Sequence, residues 1–513
     1  MAIINKKKSI SSRLMLLLVG AVIVFFVGCD SKASKNNGET NLSDSPNDEN
    51  AETTTGSTKY FADYLPDKTY GGYEFRIVAP EDGMYDMVTA VNVEKETGDT
   101  IRDAIYKRNR TIEDRYDIRF KQINATNWAS LAGTFKKSTL ADSDDFDLCM
   151  MISREAWASA LTGMVVSVDK LPYLDISQPW YAHDVNNEIT INNKLYFAYS
   201  DECIVMFEST MCVLFNKKIV GDFALDDMYS LVKKNKWTID KFFSLAKAVS
   251  ADLDGDGEMT DTDRYGILSQ FDSLYPCFWV SSGIKTVSKD ENDLLVFTGD
   301  GEKLYSVLDN LYQNLFGGEK IFFDTWNDKG KIKKYPFGMV DDDQRRVSIM
   351  QFEDNLGLFF VTGVGGIPAL RAMETDFGIL PFPKYDEAQQ IYYSRVIDGW
   401  INCVSNTARD LERTSIIMEA LAVESKNITM PAYFETALLT KYARDDESQE
   451  MLDIIYAHRT MDMGDTFYMG AVRDIYMGLL NSKKNNFASA VEKATNSINK
   501  TLQKANEAVL ALD

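Results

Sequence analysis

The alternation of apolar and polar residues between positions 73 and 162 restricts the fold more than any other feature of this 513-residue chain. Tyr73, Phe75 and Ile77 alternate with Glu74, Arg76 and Val78 at the period of a strand. A loop at 79–83 follows, and then a stretch over 99–116 in which Ile101, Ile105, Ile112 and Tyr116 recur near helical spacing. Residues 117–123 read as a second strand, 146–152 (FDLCMMI) as a third that is buried on both faces, and 155–162 as a helix. Strand, helix, strand, strand, helix predicts an α/β lobe with a mostly parallel sheet. Ligands on such sheets lie off the carboxyl ends of the strands, which makes 79–83 and 153–157 the first candidates for a binding edge.

A second lobe is expected to open after Tyr199. Residues 204–216 (IVMFESTMCVLFN) are apolar and strand-like, and Thr238 is placed to cap a helix over 240–250. A strand is predicted to begin at Arg264. The stretch 271–282 brings aromatics, notably Tyr275 and Trp279, that could face a cleft. Residues 303–316 fit an amphipathic helix, 355–363 a buried strand ending in Thr-Gly, 377–384 and 396–404 further strands, and 410–422 a helix. In the tail, Phe487, Val491, Ala494, Ile498, Leu502, Ala505 and Val509 make one helical stripe. No internal repeat is present.

The sharpest chemical motif follows the helix at 240–250. An EF-hand-type loop needs oxygen ligands at positions 1, 3, 5, 7, 9 and 12 and glycine at position 6. Here those positions hold Asp252, Asp254, Asp256, the carbonyl of Glu258, Thr260 and Asp263, with Gly257 in the turn. Hard oxygen donors at that spacing suit Ca2+, in the role of a structural clip, and the shorter Asp263 in place of glutamate lowers the expected affinity.

The amino terminus decides where the chain works. Lys6, Lys7, Lys8 and Arg13 precede an uncharged run over 14–28, as in a secretory signal peptide. As a helix that run reaches only about 22 Å, against a hydrocarbon core of about 30 Å. Val27, Gly28 and Cys29 resemble a bacterial lipobox, so residues 1–28 are expected to be removed and Cys29 to carry the lipid anchor. Residues 29–58 are polar and read as a disordered spacer that holds a globular head off the outer face of the cell membrane. The head is too long for one core. A formal charge of -22 argues against nucleic acid as a partner. Cys149, Cys203, Cys212, Cys277 and Cys403 lie in apolar runs without a CxxC pair, as buried free thiols do, and His183 and His458 are too scattered for a zinc site.

Taken in order, the lipobox and spacer, GDTIRDAIYKRNRTIEDRYDIRF, WTIDKFFSLAKAVSADLDGDG, YGIL, FGILPFPKYDEAQQIYY and DLERTSIIMEAL resemble the family 1 extracellular solute-binding proteins, the lipid-anchored receptors of ABC importers, over nearly the whole mature chain. The resemblance implies a periplasmic-binding-protein-like fold of type II, with two α/β lobes closing on a ligand between them. By that likeness the first lobe takes 72–202 plus 381–425 and the second 203–380 plus 426–513. It implies a non-enzymatic monomer that captures a carbohydrate, or another small solute, and hands it to permease subunits in the membrane. Positions matching cleft-lining loops are Ser153, Trp157, Glu208, Tyr275, Trp279, Thr362, Trp400, Phe467 and Tyr468. The alternative is a surface glycoside hydrolase. Acidic pairs such as Asp144-Asp145 and Asp342-Asp343 are abundant, but a catalytic pair needs a defined separation in space.

Overall fold

The computed structural model describes residues 59–512 apart from 85–86, 126, 336–344, 398 and 435–444. The signal peptide, Cys29 and the spacer lie outside the described residues, as does the Asp342-Asp343 pair. The strands are β1 (Tyr73–Pro80), β2 (Ile118–Ala125), β3 (Leu148–Ile152), β4 (Met211–Asn216), β5 (Tyr265–Ser269), β6 (Val287–Lys289), β7 (Leu295–Phe297), β8 (Phe322–Asp324), β9 (Gly357–Gly363), β10 (Phe377–Leu380), β11 (Ser394–Arg395), β12 (Trp400–Cys403) and β13 (Arg459–Thr460).

The first sheet has the order β12-β3-β1-β2. β1 runs parallel to both β2 and β3, and β12 closes the edge antiparallel to β3. Between β1 and β2 runs α1 (Thr100–Tyr116). Its start is set by Asp99, whose carboxylate accepts the amides of Ile101 (3.1 Å) and Arg102 (3.0 Å). It stops at Asp117, which adopts a left-handed conformation at φ 48°. Ile105, Ile112 and Tyr116 are buried, as their spacing requires. A second helix, α2 (Trp128–Leu140), is absent from the sequence reading; Asn127 and Ser130 form its capping box. β3 is buried at every position, and α3 (Ser153–Ala160) leaves its carboxyl end directly.

The second sheet has the order β10-β4-β9-β5-β8. β8 and β9 flank β5 in parallel, while β4 runs antiparallel to both of its neighbours, β9 and β10. The helix Ile239–Val249, capped by Thr238, lies so close over β5 that a Cβ on Gly266 would overlap the carbonyl, Cα and Cβ of Ala246. Three stretches of chain cross side by side between the sheets. Val396 pairs with Thr210, the Ile397 amide donates to the Ser209 carbonyl at 3.1 Å, and β11 pairs with β13 in parallel.

Three expectations change. Residues 204–216 are not one strand: Ile204–Glu208 is helical and the strand begins at Met211. Within 396–404 only β12 is strand. The stretch carrying Tyr275 and Trp279 is a helix, Phe271–Ser281, with eight consecutive buried residues from Leu274. An aromatic run that is apolar on every side of a helix is driven into the core.

Candidate functional site

The carboxyl end of β3 delivers the chain into α3, and Ser153 fixes that turn. Both its amide (2.9 Å) and its hydroxyl (2.6 Å) donate to the Gly399 carbonyl, beside β12. One turn on, Trp157 is buried, with its ring 5.9 Å from Phe467 and 6.4 Å from Tyr196. Its indole N–H donates to the Tyr468 hydroxyl at 3.0 Å. Phe467 itself is half-buried and forms part of a cavity of about 340 Å³. Arg154 and Glu155 of α3, Phe467 and Tyr468, and Thr501 of the last helix are among the residues that line this open cavity. Aromatic surface interleaved with charged and hydroxyl groups matches what a polyhydroxylated ligand needs.

The segment behind Phe467 is held by buried polar bonds. Asp465 and Arg395, both almost wholly buried, form a two-pronged pair (Nε to Oδ2 2.6 Å, Nη2 to Oδ1 2.9 Å). Arg395 also donates through Nη1 to the Asp272 carbonyl at 3.2 Å. That carbonyl is available because Pro276, four residues on in the helix, has no amide hydrogen to give it. Asp462 accepts from the amide (2.9 Å) and hydroxyl (2.6 Å) of Thr286; burial pushes its carboxyl up to about 6, against the pull of those bonds. After Tyr468 the chain widens into a π-helical turn, Met469–Arg473, a distortion found often at functional sites.

A second cluster lies where the crossing segments meet the second sheet. Glu208 is buried, and its Oε2 accepts the Val88 amide at 2.8 Å, tying the loop after β1 to the start of β4. A Cβ on Gly365 would meet the Glu208 Cβ at 2.8 Å, and one on Gly363 would meet its carbonyl at 2.7 Å. Burial raises the Glu208 carboxyl to about 8, with the Val88 bond opposing and Asp82 adding to the rise.

Remote from both, the 252–263 loop folds back on itself. Carboxylate oxygens of Asp252, Asp254 and Asp256 lie within 4.8 Å of one another, all exposed. Asp252 accepts the amides of Gly255 (2.7 Å) and Gly257 (2.8 Å), which hold it below the ordinary carboxylate range; both glycines have positive φ. Asp263 is buried and accepts from the amides of Leu253 (2.8 Å) and Thr260 (2.7 Å), closing the loop. The Glu258 side chain turns outward to Lys331 and Lys333.

The overall arrangement has solved counterparts. No family model matches the chain, and no curated protein resembles it in sequence. The maltose/maltodextrin-binding domain MalE of Bdellovibrio bacteriovorus, bound to maltotriose, superposes with a TM-score of 0.53 at 15% identity, over 84% of this chain and 100% of that one. The fold is that of the two-lobed solute-binding proteins. An ABC substrate-binding protein of Listeria monocytogenes in complex with cycloalternan gives 0.52 at 12% identity, over 85% and 100%. UgpB of Mycobacterium tuberculosis in complex with glycerophosphocholine gives 0.50 at 14%, over 86% and 100%.

Within this solute-binding-protein fold, Phe467 and Tyr468 line the cavity and Trp157, over 300 positions away in sequence, packs behind them, whereas Ser153 is not among the lining residues and is bonded to Gly399. Thr362 lies at the end of β9 beside the Glu208 cluster. Trp400 is buried in β12 and its carbonyl accepts the Cys203 thiol. Tyr275 packs on Phe322 and Phe271, and Trp279 on Tyr476, both inside the core. Arg154 and Glu155 fall within the 153–157 edge that the strand pattern predicts, whereas Thr466 and Thr501 escape sequence reasoning because each is an ordinary helical residue until the fold places it at the cavity.

Proposed function

We propose that the chain is the extracellular receptor of an ABC importer, tethered to the outer face of the cell membrane through Cys29, which captures a carbohydrate between its lobes and delivers it unchanged to a permease. The observation that carries this reading is the cavity between α3 and residues 466–471. Phe467, backed by Trp157, offers an apolar face for a sugar ring, and Arg154, Glu155 and Thr501 offer polar partners for its hydroxyls. The maltotriose and cycloalternan bound by two of the solved counterparts named above support the same class, while the glycerophosphocholine bound by UgpB keeps a solute other than a sugar in the test. Lobes of 72–202 plus 381–425 and 203–380 plus 426–513 are the division we propose, with closure signalling an occupied site. No described helix is long and apolar enough to cross a membrane, so the tether rests on the amino-terminal segment.

We further propose that the 252–263 loop holds Ca2+ as a structural clip. Its support is the convergence of Asp252, Asp254 and Asp256 and the closure by Asp263.

The test is a thermal-shift screen of the full-length chain, kept in a detergent without a sugar headgroup, against oligosaccharides, amino acids, peptides and glycerophosphocholine. A ligand at about 100 times its dissociation constant adds about 2.7 kcal/mol, a shift of a few degrees. A stabilising oligosaccharide recovered intact supports the receptor; its hydrolysis would replace the receptor with an enzyme. Stabilisation by a solute that is not a sugar would keep the receptor and change its cargo.

A further inference from the structure

Among the tryptophans whose side chains are described, Trp157, Trp180, Trp237, Trp279 and Trp400 are 0 to 4% exposed, whereas Trp326 is 51% exposed. Tryptophan is highly buried on average, because its ring is among the largest apolar surfaces a side chain can withdraw from water. The other large apolar side chains left exposed among the described residues, such as Phe61 and Leu140, lie before β1, at helix ends or in the acidic loop. Trp326 alone of them follows the carboxyl end of a strand, two residues past β8.

That end of β8 belongs to the edge of the second sheet that is turned to the first. β5, β8 and β9 are parallel, so Ser269, Asp324 and Gly363 finish on one edge, and β4 starts there with Met211 opposite Gly363. The chain enters Met211 from Thr210, which bridges Val396, and from Glu208, which takes the Val88 amide of the stretch after β1. Ligands of such sheets lie off the carboxyl ends of the strands.

The backbone under the ring is held in place. Asp324 is buried, and its carboxylate accepts the Trp326 amide at 3.0 Å and the Asn327 side-chain amide at 2.7 Å. Asn327 also donates to Asn481 at 3.3 Å, at the end of the helix that follows the π-helical turn 469–473. Lys329 stands over one face of the indole, its Nζ 4.2 Å from the centroid, which leaves the opposite face as the open one.

We infer that Trp326 is a ligand-contacting residue contributed by the second sheet, its open face the platform on which one ring of a bound oligosaccharide stacks. This rests on the carbohydrate reading proposed above. A flat apolar face held on a fixed backbone adds affinity without an ordering cost at the moment of binding.

The experiment compares full-length wild type, Trp326→Ala and Trp326→Phe, with maltotriose, cellotriose, xylotriose and mannotriose as the probes. With a trisaccharide that stabilises wild type, Trp326→Ala binds at least about tenfold more weakly, and Trp326→Phe, which keeps an aromatic face, loses less. In wild type the same sugar shields indole emission from quenching by acrylamide, and the shielding disappears in Trp326→Phe. The wild-type quenching is decisive even where a variant folds poorly. Binding by Trp326→Ala equal to wild type, or quenching that the sugar leaves unchanged, would overturn the inference and leave the receptor reading standing. Failure of all four sugars to shift the wild-type melt would count against the carbohydrate reading itself, and this assignment would fall with it.

Discussion

Glu208 shows how one residue ties electrostatics to the crossing region. Its carboxyl is buried with one amide donor, and its proton is held up to about 8 in the fold against 4.5 for a free side chain. The folded protein binds that proton more tightly than the unfolded chain. Its contribution is therefore complete below about pH 4.5 and is lost as pH rises towards about 8, at about 1.4 kcal/mol per unit at most. Glu208→Gln keeps the shape without the charge, so its stability relative to wild type should improve by a few kcal/mol between pH 5 and 8. Urea midpoints at four pH values read this directly; a constant difference would show that Glu208 is ionised throughout. Arg395 and Asp465 make the opposite case, because both are charged and each needs the other. Removing one, as in Asp465→Ala, strands a buried cation and is expected to destabilise by about 3–5 kcal/mol. Chemical denaturation of Asp465→Ala beside wild type measures the loss.

At the scale of elements, helix Ile239–Val249 packs closely over β5. Because a methyl at position 266 meets backbone as well as side chain, Gly266→Ala forces the helix outward and should destabilise by about 1–3 kcal/mol. A thermal melt matching wild type would show that the helix yields without loss. The start of α1 is a milder case: Asp99→Ala removes both cap bonds and should cost about 1 kcal/mol. The 252–263 loop is expected to raise the melting temperature in Ca2+ and to lose that response in Asp254→Ala. Equal melting of the variant and wild type across a Ca2+ titration would remove the metal from the account. Elements with strong local signals were legible in sequence: α1 apart from its aspartate cap, the helix capped by Thr238, and the buried strand β3. α2 was not, since its capping box is Asn127 and Ser130 without the usual acidic partner and its apolar stripe is short. The helix at Phe271–Ser281 read as cleft aromatics because a run apolar on all sides carries no period to say which face is free.

At the scale of the whole molecule, the proposed closure would turn on the stretches that lie side by side at Thr210, Val396 and Thr460. Thr210 bridges Val396, the adjacent Arg395 pairs with Thr460 of β13, and the Asp465 clamp on Arg395 ties these stretches to the segment that carries Phe467. A ligand that bridges the cavity should reduce the radius of gyration, which small-angle scattering with and without a stabilising sugar would detect; an unchanged radius would mean a site already shut. What the sequence by itself determined is local and periodic: the α/β class, the caps, the acidic loop and the signal-like amino terminus are all set by residues within a few positions of one another. The tertiary structure decided what depends on distant partners. It brought Trp157 to Tyr468, sent Tyr275 and Trp279 into the core, and buried Glu208 with a single donor. Burial and hydrogen-bond satisfaction are properties of the packed chain, and no local pattern encodes them.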